Sequence, residues 1–235
     1  LKYVLAHLIP ASALLSLTWQ GAWSWSTVIL AFVIIPILEV MAPVSTENFS
    51  AEAETARSRN PYFDVLLYIN AMWLFGLVGG YLYVVVHDVP GLADYAGLTG
   101  NLGIVVGTCG INVAHELGHR KSTFERNLAK IMLVPALYQH FFIEHNRGHH
   151  KNVATDLDPA SARKGEWVFA FWLRSINGGW RNAWSLERDR LRKTGLAEWS
   201  WRNMMLRFTI YQAIWLLLVY AVFGAKGLIS AVIIA

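Results

Sequence analysis

Cysteine is almost missing from this chain, since a single residue, Cys109, occurs among 235. A disulfide framework, a thiolate zinc site and an iron–sulfur or iron–thiolate electron carrier each need at least two thiolates. One cysteine excludes all three within these residues. Any redox chemistry of these residues must therefore import its electrons.

Charged residues are also scarce, at 15% of the sequence, whereas hydrophobic residues make up 55% and the mean hydropathy is +0.37. An average soluble domain carries about 25% charged residues. The sequence contains 11 Trp, several of them close together in segments 19–25 and 199–201, as is typical of membrane interfaces. The composition favours an integral membrane protein over the alternative, a soluble protein with a large core.

Several apolar runs approach the length that a membrane-spanning helix requires. They predict an all-α, multi-span helical bundle forming a single membrane-embedded domain, with a cytoplasmic segment at 115–203. Short turns are expected at 20–22 and at 88–97, the latter carrying Pro90, Gly91 and Gly97, and a solvated loop is expected at 43–60. The predicted spans are residues 4–19 (marginal), 23–41, 63–86, 98–114 and 204–223, with the start of a sixth at 227–235.

Basic residues are distributed unevenly along the chain. Fifteen of the 20 Lys and Arg lie between Arg120 and Arg202, together with eight acidic residues. The positive-inside tendency places this segment in the cytoplasm. Membrane topology and contact with lipid headgroups explain the positive charge of this segment. The alternative is that an acidic protein docks there. Nucleic acid is not expected as a partner, because no nucleic-acid-binding motif accompanies the charge.

Two histidines follow the fourth predicted span. His115 and His119 are four residues apart, so in a helix both imidazoles lie on one face and can bind one metal. With Glu116 between them, the same pattern is the zinc-protease signature, in which the glutamate acts as general base. The first histidine box alone therefore does not exclude that the protein is an intramembrane zinc protease.

A second box supplies His145, His149 and His150, with 145 and 149 again at helical spacing. Five imidazoles exceed the three protein ligands of a catalytic zinc and indicate two metals. Nitrogen ligation with open positions suits iron. Glu116 and Glu144 can orient imidazoles, reach a metal or deliver protons. His140 and Asp158 are candidates for supporting roles, and a transporter or a bis-histidine haem protein is a further alternative.

Residues around both boxes resemble the membrane-bound alkane hydroxylase family, which is related to the xylene monooxygenases and, more distantly, to the fatty-acid desaturases. The stretches that carry the resemblance are 118–121, 123–126, 140–150, 153–155 and 158–163. Desaturases share the histidine spacing but usually lack the long tail after the second box. Desaturation and xylene-type hydroxylation remain the alternatives within this chemistry.

The resemblance implies six spanning helices in a bacterial inner membrane, with a non-haem di-iron centre at their cytoplasmic ends. It implies hydroxylation of the terminal methyl group of medium- to long-chain alkanes that arrive from the bilayer, with O2 as co-substrate. It also implies electrons from rubredoxin, or a similar small carrier, and its reductase. The family's metal ligands carry over to His115, His119, His145, His149 and His150.

The family pattern continues with a further histidine and a third box, and neither occurs in these 235 residues. The chain also begins with Leu1 in place of Met. We therefore expect that sequence is missing at both ends, and that these residues alone bind iron incompletely and do not turn over.

Overall fold

The computed structural model describes residues 2–43, 50, 52, 60–88 and 91–235. Within these residues the regular secondary structure is helical and contains no β-strand, which confirms the all-α prediction. Most of the loop predicted at 43–60, and Pro90 of the turn predicted at 88–97, lie outside the described residues.

The helices fall into two groups along the chain. The first group consists of α1 (Leu8–Trp19), α2 (Ser26–Ile29), α3 (Ile35–Met41), α4 (Pro61–His87) and α5 (Leu92–Val105). The second group consists of α6 (Val113–His119), α7 (Thr123–Met132), α8 (Phe141–Glu144), α9 (His150–Asn152), α10 (Val168–Lys193) and α11 (Met204–Ile234). Short 3-10 helices occupy Lys2–His7 and Gly21–Trp23. In the part of the chain that the structure describes, three π-helical segments lie between α-helices, at Leu30–Ile34, Val106–Asn112 and His145–His149.

Among the described residues, four helical stretches are long and apolar enough to cross a bilayer: Gly21–Met41, Pro61–His87, Leu92–His119 and Met204–Ile234. A shorter apolar helix covers Tyr3–Trp19. Many large apolar side chains on these stretches are exposed, including Phe32 at 69% and Met72 at 76%, as expected for surfaces that face lipid. The chain is a multi-pass membrane protein.

The turn predicted at 88–97 is wrong in its second half, because helix α5 already begins at Leu92. The helical stretch then continues through the π segment Val106–Asn112 to His119. Gly97 is a packing residue and not a turn residue, since a Cβ there would lie 2.5 Å from the backbone oxygen of Ser24. The glycine allows two helical segments to approach closely.

The described part of the chain divides into two compact units, Leu1–Val113 with Val219–Ala235, and Ala114–Leu218. In the first unit, α1, α4 and α5 pack around side chains such as Leu74, Tyr81 and Leu98, all fully buried. A polar clamp joins Asn101 to the start of the second apolar stretch. Its Nδ2 donates to Ser24 O at 2.8 Å, and its Oδ1 accepts from Val28 N–H at 3.0 Å.

The second unit contains the histidine boxes. Helix α10 packs against α8 and buries Gly179, Ala183, Glu187 and Leu191, which follow one another every four residues. This spacing places them on one side of the helix. The second box is therefore held against a long helix whose small residues permit close contact.

Helix α11 is interrupted at Gly224, which has φ 66° and ψ −165°. A positive φ is accessible to glycine at little cost, whereas other residues rarely adopt it. The break falls in the gap between the predicted segments 204–223 and 227–235, so the sequence signal and the backbone agree at this position.

Candidate metal centre

The first box lies on α6, at the end of the third long apolar stretch. His115 and His119 are one helical turn apart, and their Nε2 atoms are 3.0 Å from each other. The rings meet edge to face, with centroids 4.7 Å apart. The i, i+4 spacing thus produces the pair that the sequence predicted.

The second box adopts π-helical geometry from His145 to His149. A π-helix closes hydrogen bonds from i to i+5, so residues five apart come together. The Nε2 atoms of His145 and His150 are 3.0 Å apart, and His145 Nε2 also lies 3.1 Å from His119 Nε2. The sequence predicts that His145 and His149 lie on one helix face. In the structure it is the Nε2 atom of His150 that lies next to the Nε2 atom of His145.

These spacings can be compared with those of ligands on a common metal. Two imidazole nitrogens that bind the same ion at about 2.1 Å, with an angle near 90° between the two bonds, lie about 3.0 Å apart. The three Nε2 separations along the row His115, His119, His145 and His150 are 3.0, 3.1 and 3.0 Å. Ligand atoms of His115, His119 and His145 all lie within 4.8 Å of one another. The donor set therefore fits a metal site.

Electrostatics favour the neutral, ligating form of the central imidazole. Burial, together with charge repulsion from the neighbouring histidines His115, His150, His119 and His149, lowers the pKa of His145 to about 3. A metal ligand must be the unprotonated imidazole. His145 therefore presents a lone pair and not a positive charge at neutral pH.

His149 does not belong to the row of adjacent Nε2 atoms. Asp158 orients its ring. Its Nδ1 lies 2.9 Å from Asp158 Oδ2. The pKa of Asp158 is lowered, because hydrogen bonds from Ser161, Ala160 N–H and His149 outweigh the effect of burial, which raises it. An ionised carboxylate only accepts hydrogen bonds, so Nδ1 carries the proton. The other ring nitrogen, Nε2, then keeps a lone pair for a metal.

The loop that carries Asp158 is fastened to α10 by Arg174. This guanidinium donates to Pro159 O at 3.0 Å and to Ser161 O at 2.9 Å. It also forms a bidentate pair with Glu166, with both N–O distances at 2.6 Å. Bidentate pairs of this kind fix geometry as well as charge. Arg174 thereby positions Asp158, and through it His149.

Glu144 is buried next to the second box. Its Oε1 accepts from Asn182 Nδ2 at 3.1 Å, and its Oε2 has no partner among the described residues. Burial raises the pKa of Glu144, more than the hydrogen bond from Asn182 lowers it. The carboxyl lies against Gly148, where a Cβ would come within 2.7 Å of Oε1. A glycine is therefore required beside this carboxyl.

Glu116 and His140 are placed away from the row of Nε2 atoms. Glu116 Oε1 accepts from Arg120, at 3.1 Å from Nε and 3.0 Å from a terminal nitrogen. His140 is buried, its ring meets Tyr138 edge to face at 4.6 Å, and its Nε2 has no partner among the described residues. Burial lowers the pKa of His140 to about 4. Neither side chain forms a hydrogen bond with the five clustered histidines in the described part of the chain.

Sequence reasoning missed Glu187, which supports the second box from α10. Its carboxylate is fully buried and accepts from Arg147 at 2.9 Å, from Arg190 at 2.7 and 2.9 Å, and from Met204 N–H at 2.8 Å. Burial raises the pKa of Glu187, but the hydrogen bonds from Arg190 and Met204 and the two positive charges bring it below its ordinary value. The signal available in the sequence was an acidic residue on the side of α10 that also carries Gly179 and Ala183.

The fold and the site define a multi-pass, all-helical membrane protein with a histidine-rich metal site. Comparison with known proteins agrees with this class. A family model described as fatty acid desaturase matches residues 96–235, which is more than half of the chain. The chain belongs to the fatty acid desaturase family.

Individual curated relatives show a more specific similarity than the family model does. Alkane 1-monooxygenase 1 of Alcanivorax borkumensis is 34% identical over 232 residues, covering 97% of this chain and 57% of that protein. Alkane 1-monooxygenase of Ectopseudomonas oleovorans is 34% identical over 233 residues, covering 97% and 58%. The xylene/toluene monooxygenase hydroxylase component of Pseudomonas putida is 26% identical over 212 residues, covering 88% and 55%. The chain thus spans a little over half the length of these relatives.

Proposed function

We propose that this protein is a non-haem di-iron monooxygenase that hydroxylates the terminal methyl group of medium- to long-chain alkanes. The observation that carries the proposal is the row of four Nε2 atoms at 3.0, 3.1 and 3.0 Å. This spacing suits nitrogen donors that share metal ions, and the relatives that cover 97% of the chain are alkane 1-monooxygenases.

Two iron ions would be held by the five clustered histidines. When bound, the irons supply the redox chemistry that activates O2. The protein supplies the ligands in their neutral form and in a fixed orientation. The ligand residues are His115, His119, His145, His149 and His150.

The supporting side chains act on protons and on orientation. Asp158 keeps the proton of His149 on Nδ1, 2.9 Å from its own Oδ2. Glu144 is the best placed of the three acidic candidates to hold a proton, because burial raises its pKa and its Oε2 is free of partners within the described residues. Glu116 is engaged by Arg120, and we assign it to positioning at the end of α6.

The site would face the cytoplasm of a bacterial inner membrane, because the basic segment between Arg120 and Arg202 follows the first box. Electrons would come from rubredoxin or a similar small carrier and its reductase, since the single cysteine of these 235 residues cannot itself form an iron–sulfur centre. The hydrocarbon would arrive from the bilayer, as its solubility requires.

The deciding experiment uses the full-length protein purified from membranes. We expect about two irons per chain by elemental analysis, and a 1-alkanol as the product from octane or hexadecane with reduced rubredoxin and O2. A His145→Ala variant is expected to lose both iron and product. One zinc per chain with peptide cleavage that Glu116→Gln abolishes would refute the proposal in favour of a protease. A haem absorption band in the purified protein would refute it in favour of a bis-histidine haem protein.

A second candidate function is favoured by the family model itself, which describes fatty acid desaturases. It predicts an alkene bond in an acyl chain and not a new hydroxyl group. Mass spectrometry of products from stearoyl and alkane substrates distinguishes the two, because desaturation removes two hydrogens whereas hydroxylation adds one oxygen. Toluene and xylene in the same assay test hydroxylation of aromatic methyl groups, which the similarity to the xylene/toluene enzyme suggests.

A further inference from the structure

The N-terminal half of α10 carries a partly exposed apolar stripe. The stripe consists of side chains that are between 48% and 67% exposed. Their spacing of i, i+3, i+4, i+7 and i+11 places them on one face of the helix. They are Phe169, Trp172, Leu173, Ile176 and Trp180.

An aromatic groove continues from the end of this stripe. Trp180 belongs to both features, and its ring lies 6.1 Å from that of Trp184, which lies 6.4 Å from that of Trp199. The groove has a volume of about 550 Å³, within the range of ligand-binding pockets. The indole N–H of Trp184 is buried and has no acceptor among the described residues.

Two guanidinium groups line the same groove. Arg181 and Arg188 are exposed, and neither forms a salt bridge with a carboxylate in the described part of the chain. Glu198 also lines the groove, but Arg192 engages its carboxylate at 2.7 and 2.8 Å. The groove therefore keeps a positive charge next to three indole rings.

We infer that the stripe and the groove together form a binding site for an anionic phospholipid at the membrane surface. The stripe would contact the acyl region, as the apolar face of an interfacial helix does. Arg181 and Arg188 would bind the phosphate group. Tryptophan prefers this boundary, where an apolar ring and a polar N–H are both satisfied.

The ligand of this site is a lipid and not a soluble acidic protein. Charge alone fits either partner, but an adjoining stripe of five exposed apolar side chains is suited to acyl chains. The inference does not depend on the proposed oxygenase function, since it uses no histidine of the metal site.

The test is native mass spectrometry of the full-length protein, purified in detergent, with equal amounts of phosphatidylglycerol and phosphatidylcholine. We expect preferential retention of phosphatidylglycerol. The double variant Arg181→Gln/Arg188→Gln is expected to weaken phosphatidylglycerol binding about tenfold or more, from the loss of two basic contacts. The variant Leu173→Gln/Ile176→Gln is expected to weaken binding without any change in charge.

The matched control is Lys193→Gln/Arg202→Gln, which removes two exposed positive charges outside the groove and is expected to bind as the wild type does. Thermal unfolding of each variant verifies that it is folded. Equal losses in the control and the groove variant, or no loss in the groove variant, would overturn the proposal. It would also be overturned if glycerophosphoglycerol, which lacks acyl chains, competed as well as the lipid. Binding of reduced rubredoxin that depends on Arg181 and Arg188, with lipid retention unchanged, would overturn it in favour of a protein partner.

Discussion

The Nδ1 atom of His149 lies 2.9 Å from Oδ2 of Asp158, and this carboxylate is only 2% exposed. Replacing Asp158 with Asn removes the charge that keeps the proton on Nδ1. Loss of such a partner typically weakens metal binding by about 10- to 100-fold. We expect Asp158→Asn to show that decrease when iron affinity is measured by chelator competition. Asp156→Asn, at an exposed site two residues away, is the control and should retain the wild-type affinity.

Substitution of Gly148 tests the contact with Glu144. The added Cβ of Gly148→Ala would lie within 2.7 Å of Glu144 Oε1 and 2.8 Å of Asn182 Nδ2. Both groups are packed around the second box, so we expect a loss of about 1–3 kcal/mol in the free energy of unfolding together with a lower iron content.

Gly118→Ala is the matched control for that variant. There the nearest atoms, on Phe142, lie 3.6 Å from the new Cβ, which is an ordinary contact distance. We expect Gly118→Ala to be neutral in thermal unfolding. If Gly148→Ala were equally neutral, the inference that the carboxyl excludes a side chain at 148 would be incorrect.

Glu187 balances the positive charges of two arginines, Arg147 and Arg190, inside the second unit. Truncation by Glu187→Ala leaves Arg147 and Arg190 without their shared buried carboxylate and Met204 N–H without an acceptor. Breaking a fully buried ion pair costs about 3–5 kcal/mol, and the cost here should be smaller because both guanidinium groups are about a third exposed. We expect a decrease in melting temperature in detergent, whereas the exposed control Asp189→Asn should change it little. A small effect at 187 would mean that water replaces the carboxylate.

The pair between Glu166 and Arg174 predicts a pH dependence. The hydrogen bonds from Arg174 are the main cause that lowers the pKa of Glu166 to about 2. Because the folded pKa is lowered, the pair stabilises the folded state above the ordinary glutamate pKa of about 4.3. That stabilisation is lost as the pH falls from there towards 2. Wild type should therefore melt at a higher temperature than Glu166→Gln at pH 7, and the difference should shrink below pH 4. A constant difference across this range would contradict the assignment.

The sequence predicted the parts of the fold that depend on local pattern. Apolar runs indicated the membrane-spanning helices, because burial of backbone polar groups in lipid allows few other structures. The i, i+4 spacing predicted the pairing of His115 with His119, because an α-helix fixes that geometry. The break at Gly224 lies where the apolar pattern separates two predicted segments.

Contacts between residues distant in sequence could not be predicted in this way. Glu187 meets Arg147 across 40 residues, and Asn182 meets Glu144 across 38. Gly97 was assigned to a turn because glycine is common in turns, whereas its actual role depends on the approach of Ser24. The pairing of His145 with His150 required a π-helical turn, and residue identity alone does not distinguish that turn from an α-helical one.

The π-helical segment His145–His149 makes the number of residues in the second box as important as their identity. A π turn contains one more residue than the α turn it replaces. Deleting one of residues 146–148 would place His150 four residues after His145, so an α-helical turn would then be needed to keep their Nε2 atoms together. The winding of this segment and the number of residues in it must therefore change together if every histidine is to keep its place. We expect relatives with one residue fewer between the corresponding histidines to have an α-helical turn at this point.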